Sequence, residues 1–461
     1  MDGGLERRAK LARSRLYLVL EARPHGDDPS RLLDAALGGG VDVVQLRDKE
    51  LRDDELVRAA EPFRRACAAH GALFVLNDRP DLVERAGADG VHVGQEDTPL
   101  ADTRRLVGAE RIVGLSATTE AELAGDPDYF GVGAIYGTPT KPDADAGGLG
   151  LVRAARDRLR VPWFAIGGID HGTVEEVVAH GAPGAAVVRA VRDADDPARA
   201  ARELRAALPP SDAVLTAGAP VLLPQIDFLY GTRSAEQQPV PPHVHEHHTD
   251  HFFLLDGSLE FRLGDGTARL PEGSCAVAPP LLVHGFRNPG GAEARFLNLH
   301  APGIWARGRT YRLPREQHDQ FGPERRSDRQ RPIVTGPGDG DRLQKPHRLA
   351  LVKAETEHAA ILEYAVDDGY DGASPHLHLR HADCFHVLEG ELELVAEAAT
   401  LRAAPGETVV VPPGVAHSFT TRGRAQFLNV HAPSCGFVEY LRRTDAGEQF
   451  DPSSYDVYQL T

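Results

Sequence analysis

The chain has 461 residues, only four cysteines and a formal net charge of −17 at pH 7, a length that favours two to four domains over a single core. With 41% hydrophobic and 26% charged residues it is neither a disordered chain nor, lacking any long apolar run, a membrane-spanning one. The excess of acid argues against a nucleic-acid surface, and the N-terminal MDGGLERRAKLARSR lacks the apolar stretch of a signal peptide, so the expectation is a cytoplasmic protein.

From residue 16 to residue 190, eight β-rich runs alternate with helix-length segments: LYLVL, VDVVQLR, LFVLND, GVHVG, IVGLSA, YFGVGAIY, VPWFAIGG and GAAVVRA. Strands alternating with patterns such as DDELVRAAEPFRRACAAHG and GTVEEVVAHG are repeated βαβ units, which predict an α/β domain over 14–208. A closed (β/α)8 TIM barrel and an open doubly wound sheet are the two candidates. Polar and Gly-rich residues gathered just after the strands favour the barrel, whose sites lie at that end. Cys67, Cys275, Cys384 and Cys435 form no CxxC pair and read as reduced packing residues.

The strand ends carry the chemistry. Gln45, Leu46, Arg47, Asp48 and Lys49 close the second run, Asn77 and Asp78 the third; His92 to Asp97 follow in the fourth and Thr138, Pro139, Thr140 and Lys141 in the sixth. Asp78 and Asp97 suit Mg²⁺, which takes one or two carboxylates together with substrate phosphates. Gly168 after the seventh run, with Val188 and Arg189 after the eighth, occupies the usual phosphate position of such barrels. Two anionic groups are therefore expected, one on Mg²⁺ and one on a glycine-rich turn.

The motifs QLRDK, NDR, HVGQED, GLSATT, YGTPTK and AIGGI, in this order, resemble thiamine-phosphate synthases over essentially all of 16–208. The resemblance implies that residues 45–49, Asn77, Ser116 and Lys141 bind an aminomethylpyrimidine diphosphate, with Asp78 and Asp97 on Mg²⁺. Thr138, Pro139, Thr140, Gly168, Val188 and Arg189 would take a thiazole phosphate. Arg47, Lys141, Asn77 and Ser116 are the implied catalytic residues of an alkyl transfer that releases diphosphate and needs no protein nucleophile. Arg189 stands where the family more often has Ser, and GGLGLVR replaces a stretch that usually contains Glu. A non-catalytic or thiazole-tautomerase-like barrel is the alternative.

Beyond about residue 209 helical periodicity gives way to short strands and Gly/Pro turns, and the chain repeats itself. PPHVHEHHTDHFFLLDGSLEF aligns with SPHLHLRHADCFHVLEGELEL, and FLNLHAPG with FLNVHAPS. His243, His245, Asp250 and His284 recur 133 positions later as His376, His378, Asp383 and His417. Two His at alternate positions of a strand point to one side. With a distant third His and a carboxylate they suit a divalent Fe, Mn, Ni or Zn ion. These segments resemble the two cupin motifs, implying an all-β double-stranded jelly-roll bicupin that serves as a metal-dependent dioxygenase, a ligand sensor or an appendage of another role. Expected boundaries are a linker at 209–224, one cupin at 225–315, a linker at 316–346, a second cupin at 347–445 and a tail at 446–461. His247, His248, His251, His381 and His386 fall outside the motif and are expected on the surface or behind the ligands. The implied partners are phosphorylated small molecules, and a homo-oligomer is allowed.

Overall fold

Short runs rich in Val, Leu, Ile and Phe become eight parallel strands: β1 Leu16–Leu20, β2 Val43–Leu46, β3 Leu73–Asn77, β4 Gly90–Val93, β5 Ile112–Ala117, β6 Tyr129–Val132, β7 Trp163–Ile166 and β8 Ala185–Val187. Each pairs with the next, and β8 returns to β1 through Leu16↔Ala185 and Leu18↔Val187, so the sheet is a closed barrel and not an open doubly wound one. The computed structural model describes residues 3–137, 147–303 and 319–460. The chain divides into two units, 1–211 and 212–461.

Side-chain alternation sorts the barrel strands into two layers. Leu18, Leu20, Val44, Leu46, Phe74 and Leu76 face outward and pack with residues of the surrounding helices such as Leu56, Ala60 and Phe63 of the helix Asp53–His70. Tyr17, Val19, Val43, Leu73, Val75, Tyr129 and Phe164 fill the interior, so the barrel is a packed core open to chemistry only at its mouth. An additional helix, Gly3–Arg13, precedes the expected domain start and contributes Leu11 to the interior cluster. Its Arg7 and Arg8 pair with Asp89 and Asp128 at 2.9 Å each, and Asp42 accepts from the backbone N–H groups of Arg15 and Leu16. All three carboxylates immediately precede a strand, so this helix seals the end opposite the mouth.

Close strand packing is enforced by glycine at one position in particular. A Cβ on Gly90 would lie 2.2 Å from the Ile112 carbonyl oxygen on β5. Gly90→Ala is therefore expected to destabilise this unit by about 2 kcal/mol, read as a lowered first transition in calorimetry with no change in the second.

The second unit consists of two similar antiparallel sandwiches. In the first copy a six-stranded sheet built on Asp227–Arg233, Ala294–Ala301, Thr249–Asp256 and Cys275–Ala278 faces a four-stranded sheet of Val240–His243, His284–Arg287, Ser258–Leu263 and Gly266–Pro271. The second copy repeats this with Ala360–Val366, Ala425–Ala432, Ala382–Glu389 and Thr408–Val411 opposite Ala373–Leu377, His417–Thr421, Leu392–Ala396 and Ala399–Ala403. The larger sheets share one core in which Phe228, Phe253, Val277 and Leu297 meet Ile361, Val410, Leu428 and Val430. Cys275 and Cys384 lie in that core, and burial pushes both thiols up. No helix among the described residues is long and apolar enough to cross a membrane.

The segments expected as linkers and tail are structured. Within 209–224, Val214–Thr216 pairs with Thr408–Val411 of the second copy and Val221–Leu222 with Asp227–Arg233 of the first. Within 316–346, Ile333–Thr335 extends the first copy's larger sheet and Asp341–Lys345 the second's. Tyr458–Gln459, in the expected tail, pairs with Ala373–Leu377. These are edge strands of two to five residues, too short to show alternation and specified by distant partners.

Candidate active site and metal centres

At the barrel mouth the sequence-predicted residues separate into two groups. In one, Lys49 Nζ lies 3.0 Å from Asp78 Oδ2. Burial and the neighbouring Asp97 raise the Asp78 carboxyl above its usual range, with Lys49 opposing them. Asp78 adopts a left-handed backbone at φ 60°, held by a hydrogen bond from its N–H to the His92 carbonyl at 2.9 Å. Asp97 accepts from Gly94 N–H at 2.8 Å. Asp78 and Asp97 are thus neighbouring carboxylates with Lys49 paired to the first, a donor type of the kind that hard cations take.

The second group surrounds a cavity of about 390 Å³ lined by Arg47, Gly168, Val188 and Arg189 among others. A Cβ at Gly168, where φ is 66°, would lie 2.7 Å from Tyr136 Cβ, so glycine permits this close turn. Among the described residues neither Arg47 nor Arg189 has its guanidinium in an ion pair, whereas Arg79 is tied to Asp53 and Asp81 at 2.7 and 2.8 Å. Asp170 and Asp193 complete the wall on one side.

Gln45 and Ser116 present their side chains to the barrel interior, and Asn77 ends β3 beside Asp78. Asp48 instead accepts from Ala22 and Glu50 N–H groups, bracing the loops, and the Leu46 side chain is buried among the outer helices. Thr138, Pro139, Thr140 and Lys141 lie outside the described residues.

In the second unit the two four-residue sets are brought together: His243, His245, Asp250 and His284, and His376, His378, Asp383 and His417, all buried, each set with its ligand atoms within 4.8 Å of one another. Every one of the six imidazoles is aimed by a backbone carbonyl. Nδ1 donates to Pro241, Asp319 and Leu282 in the first copy and to Ser374, Asp456 and Val415 in the second, at 2.7 to 3.0 Å. A carbonyl only accepts, so each Nδ1 carries a hydrogen and each Nε2 faces the cluster. Burial lowers His243 and His376 to about 4 and His245 to about 3, keeping these three rings neutral.

Asp250 Oδ2 lies 3.1 Å from His284 Nε2 and 3.4 Å from His245 Nε2, and Asp383 Oδ2 lies 3.2 Å from His417 Nε2. Adjacent ligands on an ion at about 2.1 Å sit about 3 Å apart, so the donor sets fit a divalent ion. The buried His378 Nε2 has no hydrogen-bond partner among the described atoms, as a metal-directed lone pair would not.

A second layer supports each set. Asp319 and Asp456, both left-handed at φ 57° and 60°, orient His245 and His378 through their carbonyls. Their carboxylates accept from the backbone N–H groups of 246–247 and 379–381 and from the rings of His248 and His381. Burial would lower His248 and His381, but Asp250 and Asp319 around the first, and Asp456 together with Cys435 beside the second, outweigh it and hold both at about 9. His300 and His431 add a third contact, reaching Asp250 Oδ1 and His381 Nε2 at 3.2 and 3.0 Å. His248 and His381 are thus behind the ligands, His251 and His386 are buried elsewhere in the sheets, and only His247 is surface-exposed in part.

A family model described as thiamine monophosphate synthase matches residues 16–191, and one described as cupin domain matches 233–300 and 363–431. The thiamine-phosphate synthase of Arthrobacter sp. (strain FB24) is 44% identical over an alignment of 228 residues that covers 43% of this chain and 96% of that protein. The chain belongs to the thiamine-phosphate synthase family. Membership makes the barrel a transferase unit, and the cupin unit lies beyond the matched region. Among solved structures, the thiamine phosphate pyrophosphorylase of Pyrococcus furiosus is 31% identical, with a TM-score of 0.39, covering 43% of this chain and 96% of that one. A Bacillus subtilis oxalate decarboxylase variant is 13% identical, with a TM-score of 0.33, covering 45% and 68%.

Proposed function

We propose that the synthase unit joins an aminomethylpyrimidine diphosphate to a thiazole phosphate, giving thiamine phosphate and diphosphate. The observation that carries this reading is the pairing of two anion-handling centres at one mouth, the Lys49, Asp78 and Asp97 group and the Arg47, Gly168 and Arg189 cavity. Asp78 and Asp97 would hold Mg²⁺, which supplies charge neutralisation to the leaving diphosphate. Lys49 and, by its family position, Lys141 bind the diphosphate oxygens, and Arg47, which lines the adjoining cavity, faces them from that side. Gln45, Asn77 and Ser116 orient the pyrimidine. The bond from the pyrimidine CH₂ to oxygen breaks with its electron pair going to diphosphate, and the thiazole nitrogen lone pair forms the new C–N bond. Backbone N–H groups near Gly168 and Val188, together with Arg189, hold the thiazole phosphate.

The decisive experiment is thiamine phosphate formation by the purified chain with both phosphorylated substrates and Mg²⁺; no product from folded protein would overturn the reading. Arg189→Ala is expected to raise KM for the thiazole phosphate about tenfold, with kcat little changed, because a charge-assisted contact made before and during reaction is lost. The histidine clusters support a second element of the proposal: each cupin holds one divalent transition metal, drawn from Fe, Mn, Ni or Zn. Elemental analysis should return about two such ions per chain, one for each donor set.

A further inference from the structure

We propose that His92 is a positioning residue of the synthase site, a ring fixed by a buried chain of hydroxyls so that Ser116 meets the pyrimidine as a hydrogen-bond donor. The proposal rests on the reading that Gln45 and Ser116 face that substrate.

Five side chains from five different strands meet inside the barrel. Gln45 Nε2 on β2 donates to Tyr17 OH on β1 at 3.0 Å, and Tyr17 OH lies 3.0 Å from Tyr129 OH on β6. Tyr129 OH lies 3.1 Å from His92 Nδ1 on β4, and His92 Nε2 lies 2.9 Å from Ser116 Oγ on β5. Tyr17 and Tyr129 are fully buried, and burial pushes both phenols up, so each keeps its single hydrogen.

The direction of the chain follows from hydrogen counting. The amide nitrogen of Gln45 can only donate, so Tyr17 oxygen accepts and its hydrogen passes to Tyr129. The Tyr129 hydrogen then goes to His92 Nδ1, which must be bare. A neutral ring consequently carries its hydrogen on Nε2 and gives it to Ser116 Oγ. Ser116 is left with its own hydrogen to offer, and Gln45 with its carbonyl oxygen to accept, at two points of the mouth. An aminopyrimidine presents a ring nitrogen that accepts and an amino group that donates, matching this pair.

The backbone makes room for the arrangement. A Cβ at Gly114 would lie 2.2 Å from Tyr129 Cζ and 2.5 Å from His92 Nδ1, and one at Gly131 would lie 3.1 Å from His92 Cε1. Two glycines on adjacent strands therefore accommodate the two rings.

The test uses the full chain with ¹⁵N-labelled histidine, the His92 signals being those absent from His92→Gln. They should report hydrogen on Nε2, and hydrogen on Nδ1 would overturn the proposal, because the chain would then run the other way and Ser116 would face substrate as an acceptor. Kinetics supply the second readout. Tyr129→Phe, which removes one hydroxyl, and Ser116→Ala should each raise KM for the pyrimidine diphosphate about tenfold, with KM for the thiazole phosphate near wild type. His92→Gln, which returns an N–H donor at similar reach, should stay within about threefold of wild type, where His92→Phe does not. An unchanged KM in Tyr129→Phe beside a raised one in Ser116→Ala would overturn the inference alone. An unchanged KM in Ser116→Ala would overturn the underlying placement of the pyrimidine.

Discussion

Asp78→Asn is expected to lower kcat for thiamine phosphate formation by about 10²- to 10³-fold, because a weakened Mg²⁺ site loses positive charge that would stabilise the departing diphosphate. The substitution keeps the side chain's shape but removes the charge that faces Lys49 and Asp97. With one carboxylate gone, the Mg²⁺ concentration for half-maximal rate should rise as well, because Asp97 alone would hold the ion. Steady-state rates at a series of Mg²⁺ concentrations check both effects. A variant with wild-type rate and wild-type Mg²⁺ demand would remove Asp78 from the site.

Asp456→Ala should empty the second cupin and leave the first loaded. Its carboxylate accepts from three backbone N–H groups and from His381, and its carbonyl aims His378. Truncation leaves the imidazolium of His381, fully buried, without its partner, at an expected cost of about 3 to 5 kcal/mol. The carbonyl that aims His378 remains in alanine, but the left-handed turn that places it, at φ 60°, loses the carboxylate that anchors it, and a ligand whose orienting support is loosened typically binds metal about 10- to 100-fold less tightly. Elemental analysis should find about one ion per chain in place of two, and calorimetry a lowered transition for the second unit. Asp319→Ala is the mirror experiment, emptying the first cupin. Retention of both ions at unchanged affinity would show that the two aspartates do not orient the ligands.

The barrel was legible because its strands are short runs rich in apolar residues, each followed by a helix-length segment, and several end in a polar cluster, as in LFVLND. The ligand sets were legible because HxH recurs at a constant offset. Asp319 and Asp456 were not, since they follow His300 and His431 by unequal distances and sit in segments that read as linker and tail. The signal available was a lone Asp between aromatic-containing neighbours, HDQF and YDVY, too weak without a fold to place it. His300 and His431 lay in the aligned FLNLHAPG and FLNVHAPS, where the repeat marked them without giving a role. The helix Gly3–Arg13 escaped notice because charges, not apolar periodicity, dominate it.

The order in which the two units can mature is set by where their closing pieces lie. The barrel completes itself from neighbouring βα segments, and β8 ends at Val187, so it can fold while the remainder is still being synthesised. The cupin unit cannot. Val214–Thr216 waits for Thr408–Val411, and the second histidine set waits for Asp456. Pairings this distant are slow to form. A ribosome-bound chain thus carries a finished synthase barrel ahead of an unfinished double sandwich, and the second copy stays open until Asp456 and Tyr458–Gln459 have been made.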